Sequence, residues 1–222
     1  MLKYLFILMI TFTGSFKLKS QENESKLPVK EFPVSGTGRS FVLLLSGDGG
    51  WKDLVKEVAK NFTSIGIPVA GLNSRSYFWR EKSRVKLSED LNYLTNYYME
   101  KWNKKEVILV GYSFGADVIP FAYDSMDKSV IKKIILISPY KTAHFKIKLS
   151  EYIITATDGF PVTLQLKKID PDLLYIICDD DKNSLCNELD QNIWNYTYLE
   201  GGHHFNSEYQ KLNNLINNFI NK

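Results

Sequence analysis

Four short stretches of the sequence carry residue types that together can cleave an ester. The first is Gly111-Tyr112-Ser113-Phe114-Gly115, a G-x-S-x-G motif between the apolar run Val107–Val110 and a helix-period run. In this context the motif predicts a sharp strand-to-helix turn with Ser113 at its apex, the hydroxyl exposed and the helix N-terminus beneath it. The second is Ser46-Gly47-Asp48-Gly49-Gly50-Trp51, directly after the apolar run Phe41–Leu45. Acyl transfer needs two N–H donors aimed at the developing oxyanion. One is expected from Phe114, next to the nucleophile, and the other from Asp48 or Gly49 in this glycine-rich loop. The loop has neither G-x-x-x-x-G-K-[ST] nor G-x-G-x-x-G spacing, which argues against a phosphate-binding role.

The third stretch is Gly201-Gly202-His203-His204-Phe205, late in the chain. The base of a Ser-acid-His order must come last, and position favours His204, with His203 as the alternative. The fourth is Asp179-Asp180-Asp181, after the apolar run Leu173–Cys178. One carboxylate there would fix the imidazole tautomer, and the usual offset after such a strand favours Asp181, with Asp180 second. Ser113, Asp181 and His204 are therefore the expected triad. No metal site and no cofactor are implied.

The elements that must position these loops alternate along the chain. Val29–Val34, Phe41–Leu45, Ile67–Leu72, Val107–Val110, Ile131–Ile137, Leu173–Cys178 and Ile193–Leu199 read as strands. Trp51–Ser64, Leu87–Trp102, Ala116–Met126 and Glu208–Ile220 carry apolar residues at helical spacing. Strand–helix alternation with continuous apolar strands predicts an α/β protein, a mostly parallel sheet with helices on both faces. With a nucleophile elbow this is the α/β-hydrolase fold, here with a minimal cap, because little sequence lies between Ser138 and Leu173. Residues 29–222 form one expected domain, preceded by a polar lead-in over 21–28.

Residues 1–20 read as an export signal: Lys3 near the start, the apolar stretch Tyr4–Phe12 with only Thr11 polar, then a polar exit through Lys17. The apolar run is too short to span a bilayer, and a periplasmic or secreted protein is expected. The chain has 28 Lys+Arg and 25 Asp+Glu over 222 residues; Lys3, Lys17 and Lys19 fall in the first twenty, leaving 25 against 25 beyond them. A neutral domain offers no electrostatic case for direct nucleic-acid binding. Cys178 and Cys186 are the two cysteines, and in an exported chain they are expected to form a disulfide across the acidic loop.

The motifs resemble the bacterial virulence protein VirJ / AcvB family. The likeness rests on Leu45-Ser46-Gly47-Asp48-Gly49-Gly50-Trp51, Ser74–Trp79, Gly111-Tyr112-Ser113-Phe114-Gly115-Ala116-Asp117-Val118, Ser138-Pro139 and Gly201–Phe205. The segment at Ser74–Trp79 departs from the family pattern, since Ser76 separates Arg75 from Tyr77. The resemblance implies a periplasmic protein. It implies either hydrolysis of aminoacylated phosphatidylglycerol, as associated with AcvB-like members, or a part in type IV secretion, as associated with VirJ-like members. The expected substrate is thus a small-molecule or lipid head-group ester, with contact to a membrane surface and to secretion-system proteins as further expectations. Tyr77, Phe78 and Trp79 are candidates for an apolar wall beside the site, and Asp48 and Asp117 for partners of a substrate ammonium. The competing readings are a non-catalytic chaperone or binding component and a generic lipase or thioesterase on the same fold.

Overall fold

The computed structural model describes residues 27–147 and 159–222. The proposed export signal and most of the lead-in lie outside the described residues.

The strands are β1 (Val29–Phe32), β2 (Ser40–Leu45), β3 (Val69–Leu72), β4 (Glu106–Tyr112), β5 (Ile131–Ile137), β6 (Thr142–Ala143), β7 (Phe160–Pro161), β8 (Leu174–Cys178) and β9 (Tyr196–Tyr198). The α-helices are α1 (Asp53–Ser64), α2 (Ser74–Tyr77), α3 (Arg84–Lys101), α4 (Phe114–Tyr123), α5 (Thr163–Leu166) and α6 (Tyr209–Ile220). Seven strands form one sheet in the order β1-β3-β2-β4-β5-β8-β9. Only β1, at the edge, runs antiparallel to its neighbour; the other pairings are parallel. The two-residue strands β6 and β7 pair separately.

The central strands β2, β4, β5 and β8 are mostly apolar and buried, because helices cover both faces; Lys132 and Lys133 stand near the start of β5. On one face Phe41, Leu43, Leu109 and Leu136 pack beneath Leu87, Leu91 and Leu94 of α3 and the apolar residues of α4. On the other, Val42, Leu44, Val110 and Ile135 meet Leu54, Val55 and Val58 of α1 and Leu212 and Ile216 of α6. The alternation along β2 thus splits its side chains between two cores. α3 is capped at Ser83, whose hydroxyl accepts from the Lys86 amide at 3.0 Å.

Boundaries differ from expectation by a few residues. β9 is shorter than the apolar run suggests, because Asp190 accepts the Ile193 and Trp194 amides in a turn at 3.1 and 3.0 Å. α4 begins at Phe114 rather than Ala116, directly after the serine. From β2 the chain crosses to β3 on one side and then returns to β4 on the other. The crevice outside a parallel sheet opens where the order reverses in this way. The loops after β2 and β4 meet at that point.

Candidate functional site

Ser113 has φ 53° and ψ −122°, a conformation that a serine adopts only when its surroundings impose it. Two glycines make that turn possible. A Cβ on Gly111 would stand 2.6 Å from the Ala116 backbone, and one on Gly115 would collide with the Leu45 carbonyl. The turn is held from the neighbouring strand by the Ser113 amide, which donates to the Ile137 carbonyl at 2.8 Å. Ser113 is 5 % exposed, and its hydroxyl opens into a cleft of about 600 Å³.

The hydroxyl oxygen lies 2.7 Å from Nε2 of His203. Nδ1 of the same ring lies 2.7 Å from Oδ2 of Asp179. An ionised carboxylate can only accept, so Nδ1 carries the proton and Nε2 is left to accept from the serine. Burial pushes the Asp179 carboxyl up, but the hydrogen bond and electrostatic attraction to His203 and the Asp181 amide together hold it below the ordinary aspartate value. The imidazole is clamped from the side as well: the Tyr140 ring stacks on it at 4.9 Å and 10°.

His204 and Asp181, the expected base and acid, are not brought to the serine. His203 lies in the short 3₁₀ turn Gly202–Ser207, where Phe205 and Asn206 adopt left-handed conformations. That kink aims His203 at Ser113 and turns His204 toward Tyr112, whose hydroxyl lies 2.6 Å from His204 Nδ1. Burial, with the electrostatic influence of His203 and Lys52, lowers the His204 pKa, against the pull of Asp48. Asp181 accepts the Asn183 amide at 2.7 Å, within its own loop. Asp180, the second choice, accepts the Gly202 amide at 2.7 Å and so anchors the histidine turn to the acidic loop. Asp179 alone points inward, because it directly follows the buried end of β8.

Cys178 and Cys186 are joined by a disulfide with Cα atoms 6.1 Å apart, as expected. It closes the loop that carries all three aspartates. The loop also docks on the segment after β5, where the Leu185 amide donates to the Pro139 carbonyl at 2.9 Å.

Phe114 is the first residue of α4, so its amide has no partner within the helix and faces the serine end. Gly47, Asp48 and Gly49 line the cleft opposite, and a Cβ on Gly47 would stand 3.3 Å from the Ser113 Cβ.

Four other expectations differ from the structure. Asp117 is not in the cleft. It is buried, and Oδ1 accepts the Tyr140 amide at 2.7 Å, fixing the residue that stacks on His203. Burial raises the Asp117 pKa well above its ordinary value, against the lowering effect of that amide. Tyr77 and Phe78 do not form a substrate wall. The turn of α2 points them into the core, where Tyr77 donates to Asp90 at 2.6 Å and Phe78 packs on Phe114 at 4.9 Å. Trp79 is 51 % exposed and outside the cleft.

Sequence reasoning missed Tyr112, Tyr140, Lys52, Asp53 and Ile147, all of which line the cleft with Arg75. Tyr140 was within reach, since it follows Ser138-Pro139 at the C-terminal end of a parallel strand.

The family model for the bacterial virulence protein (VirJ) matches residues 39–222. No curated protein matches the chain. Among solved structures the chain is similar to Est1E from Butyrivibrio proteoclasticus, at 13 % identity and TM-score 0.57 over 87 % of this chain and 93 % of that one. It is similar to the esterase Pf2001 of Pyrococcus furiosus, at 13 % identity and TM-score 0.59 over 90 % and 92 %. A third is XC6422 of Xanthomonas campestris, an α/β serine hydrolase without a lid, at 15 % identity and TM-score 0.54 over 87 % of each chain. At such identities the likeness establishes the α/β-hydrolase fold.

Proposed function

The chain belongs to the bacterial virulence protein (VirJ) family, and on that premise we propose that it is a serine esterase acting on an aminoacyl ester of a phospholipid head group. The observation that carries the hydrolase reading is the continuous relay of Ser113 Oγ, His203 and Asp179, with both links at 2.7 Å.

In the proposed reaction Ser113 Oγ attacks the ester carbonyl while its proton passes to His203 Nε2. The Phe114 amide and one amide of the Asp48–Gly49 turn receive the oxyanion. As the tetrahedral species collapses, His203 returns the proton to the departing alkoxide oxygen, leaving an acyl-Ser113. Water repeats the sequence, giving its proton to His203, and frees the carboxylic acid and the serine. Asp179 steadies the imidazolium in both halves.

The lining of the cleft supports an aminoacyl-lipid substrate. Asp48 and Asp53 line the cleft together with Lys52 and Arg75. An aminoacyl ester of a glycerophosphate head group carries an ammonium and a phosphodiester anion a few bonds from the carbonyl, and those side chains supply a partner of opposite sign for each. Charged side chains of both signs in the cleft lining suit a zwitterionic head group better than a long acyl chain.

The test is turnover of synthetic lysyl-phosphatidylglycerol by the wild-type chain and Ser113→Ala, with release of free lysine as the readout. The proposal expects release with wild type and none above background with the variant. Turnover of a simple acetate ester with no lysine release would remove the substrate assignment. Inactivity toward both esters would remove the hydrolase reading.

A further inference from the structure

We propose that the rim of the cleft formed by the turn between α2 and α3 and by residues 144–147 after β6 is a docking surface for an anionic lipid bilayer. The inference deepens the lipid-ester reading and takes its purpose from it, but its physical basis is separate.

These two segments are one surface. The Lys82 amide donates to the Phe145 carbonyl, and the Ile147 amide to the Phe78 carbonyl, both at 2.9 Å. Ile147 and Arg75 also line the cleft, so the surface runs to its edge.

Large apolar side chains project from this rim. Trp79 is 51 %, Val85 66 % and Phe160 44 % exposed. They are interleaved with cations. The Arg84 guanidinium lies 3.9 Å above the Phe160 ring, and Lys82 lies 5.1 Å from the Tyr77 ring. Arg80 and Lys146 are exposed beside them, and Glu81 is the acid among these turn residues. Lys86 is paired with Asp90 at 2.6 Å and is not counted. The sequence beyond residue 20 has equal numbers of acidic and basic side chains, so this is a local concentration of positive charge.

Aromatic and aliphatic residues interleaved with Lys and Arg match the two layers of a bilayer surface. The rings reach the acyl boundary, and the cations meet the anionic head groups. Among the described residues no helix is long and apolar enough to cross a membrane, so the contact would be peripheral. A soluble polyanion would match the charge but offers the exposed tryptophan and phenylalanine no apolar layer to enter. Docking here would hold the mouth of the cleft against the plane of the head groups.

The test is co-sedimentation with vesicles of phosphatidylcholine alone and of phosphatidylcholine mixed with phosphatidylglycerol, at low and high salt. All variants keep the same residues 1–28, so differences report on the rim. Wild type and Ser113→Ala are expected to bind the anionic vesicles equally, and roughly tenfold better than neutral ones, with the preference falling at high salt. The double variant Arg80→Glu/Lys146→Glu should lose roughly thirty-fold in partition, and Trp79→Ala several-fold. Lys60→Glu/Lys211→Glu, on the other face of the sheet, should bind as wild type. Hydrolysis of a soluble acetate ester should be the same in every variant that retains Ser113. Vesicle binding without ester turnover would leave the surface in place and remove the hydrolase. Equal binding of Arg80→Glu/Lys146→Glu and wild type would overturn the proposal. So would indifference to phosphatidylglycerol, or retention on polyglutamate with no vesicle binding.

Discussion

Replacing Asp179 by asparagine isolates the carboxylate from its shape. In the folded chain Asp179 Oδ2 accepts from His203 Nδ1 at 2.7 Å, and the side chain is 1 % exposed. An asparagine amide in the same place would donate to Nδ1 and drive the proton to Nε2. The ring would then donate to Ser113 instead of accepting from it, and the serine would lose its base. The loss of a tautomer of this kind is worth ~10⁴-fold in kcat, or about 5.4 kcal/mol of transition-state stabilisation. Asp181→Asn serves as the contrast. Its carboxylate accepts the Asn183 amide at 2.7 Å, and an asparagine oxygen can do the same, so less than about a threefold change is expected from losing one partly exposed charge that does not touch the relay. Stopped-flow hydrolysis of an activated ester, with circular dichroism to confirm folding, measures both. An Asp179→Asn enzyme that keeps more than about a tenth of wild-type kcat, beside an inactive Asp181→Asn, would refute the assignment.

Three other outcomes follow from the same geometry. Because the folded Asp179 pKa is lowered, its contribution to stability is full above the unfolded aspartate value of ~3.9 and is lost as pH falls through the lower folded one. Acid unfolding followed by fluorescence should therefore lose part of its pH dependence in Asp179→Asn. The raised Asp117 pKa works in the opposite sense, favouring the fold below ~3.9 and losing that contribution as pH rises through the raised value. Asp117→Asn keeps an acceptor for the Tyr140 amide and should be neutral or stabilising at pH 7, whereas Asp117→Ala leaves that amide unpartnered and should cost about 1–3 kcal/mol in urea unfolding. Reducing the Cys178–Cys186 disulfide, which spans 8 positions, should cost about 2–3 kcal/mol in unfolding experiments. It should also lower kcat several-fold by loosening the loop that carries Asp179.

The sheet was legible because the central strands are built on continuous apolar stretches, and the glycine-bearing turns at Gly47 and Gly111 lie at the ends of two of them. Ser113 was legible because its motif sits between a strand and a helix, where steric demand explains both glycines. The choice of His203 over His204 was not legible. It depends on left-handed backbone at Phe205 and Asn206, a conformation that asparagine tolerates but that phenylalanine does not announce. Asp179 over Asp181 was not legible either: β8 ends at Cys178, as the apolar run suggests, but which of the three following carboxylates is buried depends on the turn after the strand, and that turn buries the first. Tyr77 and Phe78 were misread for a related reason. A four-residue helix is too short to show a period, yet its turn is what sends both rings into the core. Asp117 lies in the first turn of α4, where a carboxylate is favourable at the surface. Only the packing of α4 against the segment after β5 shows that it is buried.

The relay itself is most directly tested by a fluorophosphonate probe followed by peptide mass spectrometry on wild type, His203→Ala and His204→Ala. Ser113 should carry the label in wild type, with near-wild-type labelling rates in His204→Ala and labelling at least ~100-fold slower in His203→Ala. Labelling lost in His204→Ala but retained in His203→Ala, or wild-type protein labelled at a residue other than Ser113, would contradict the relay.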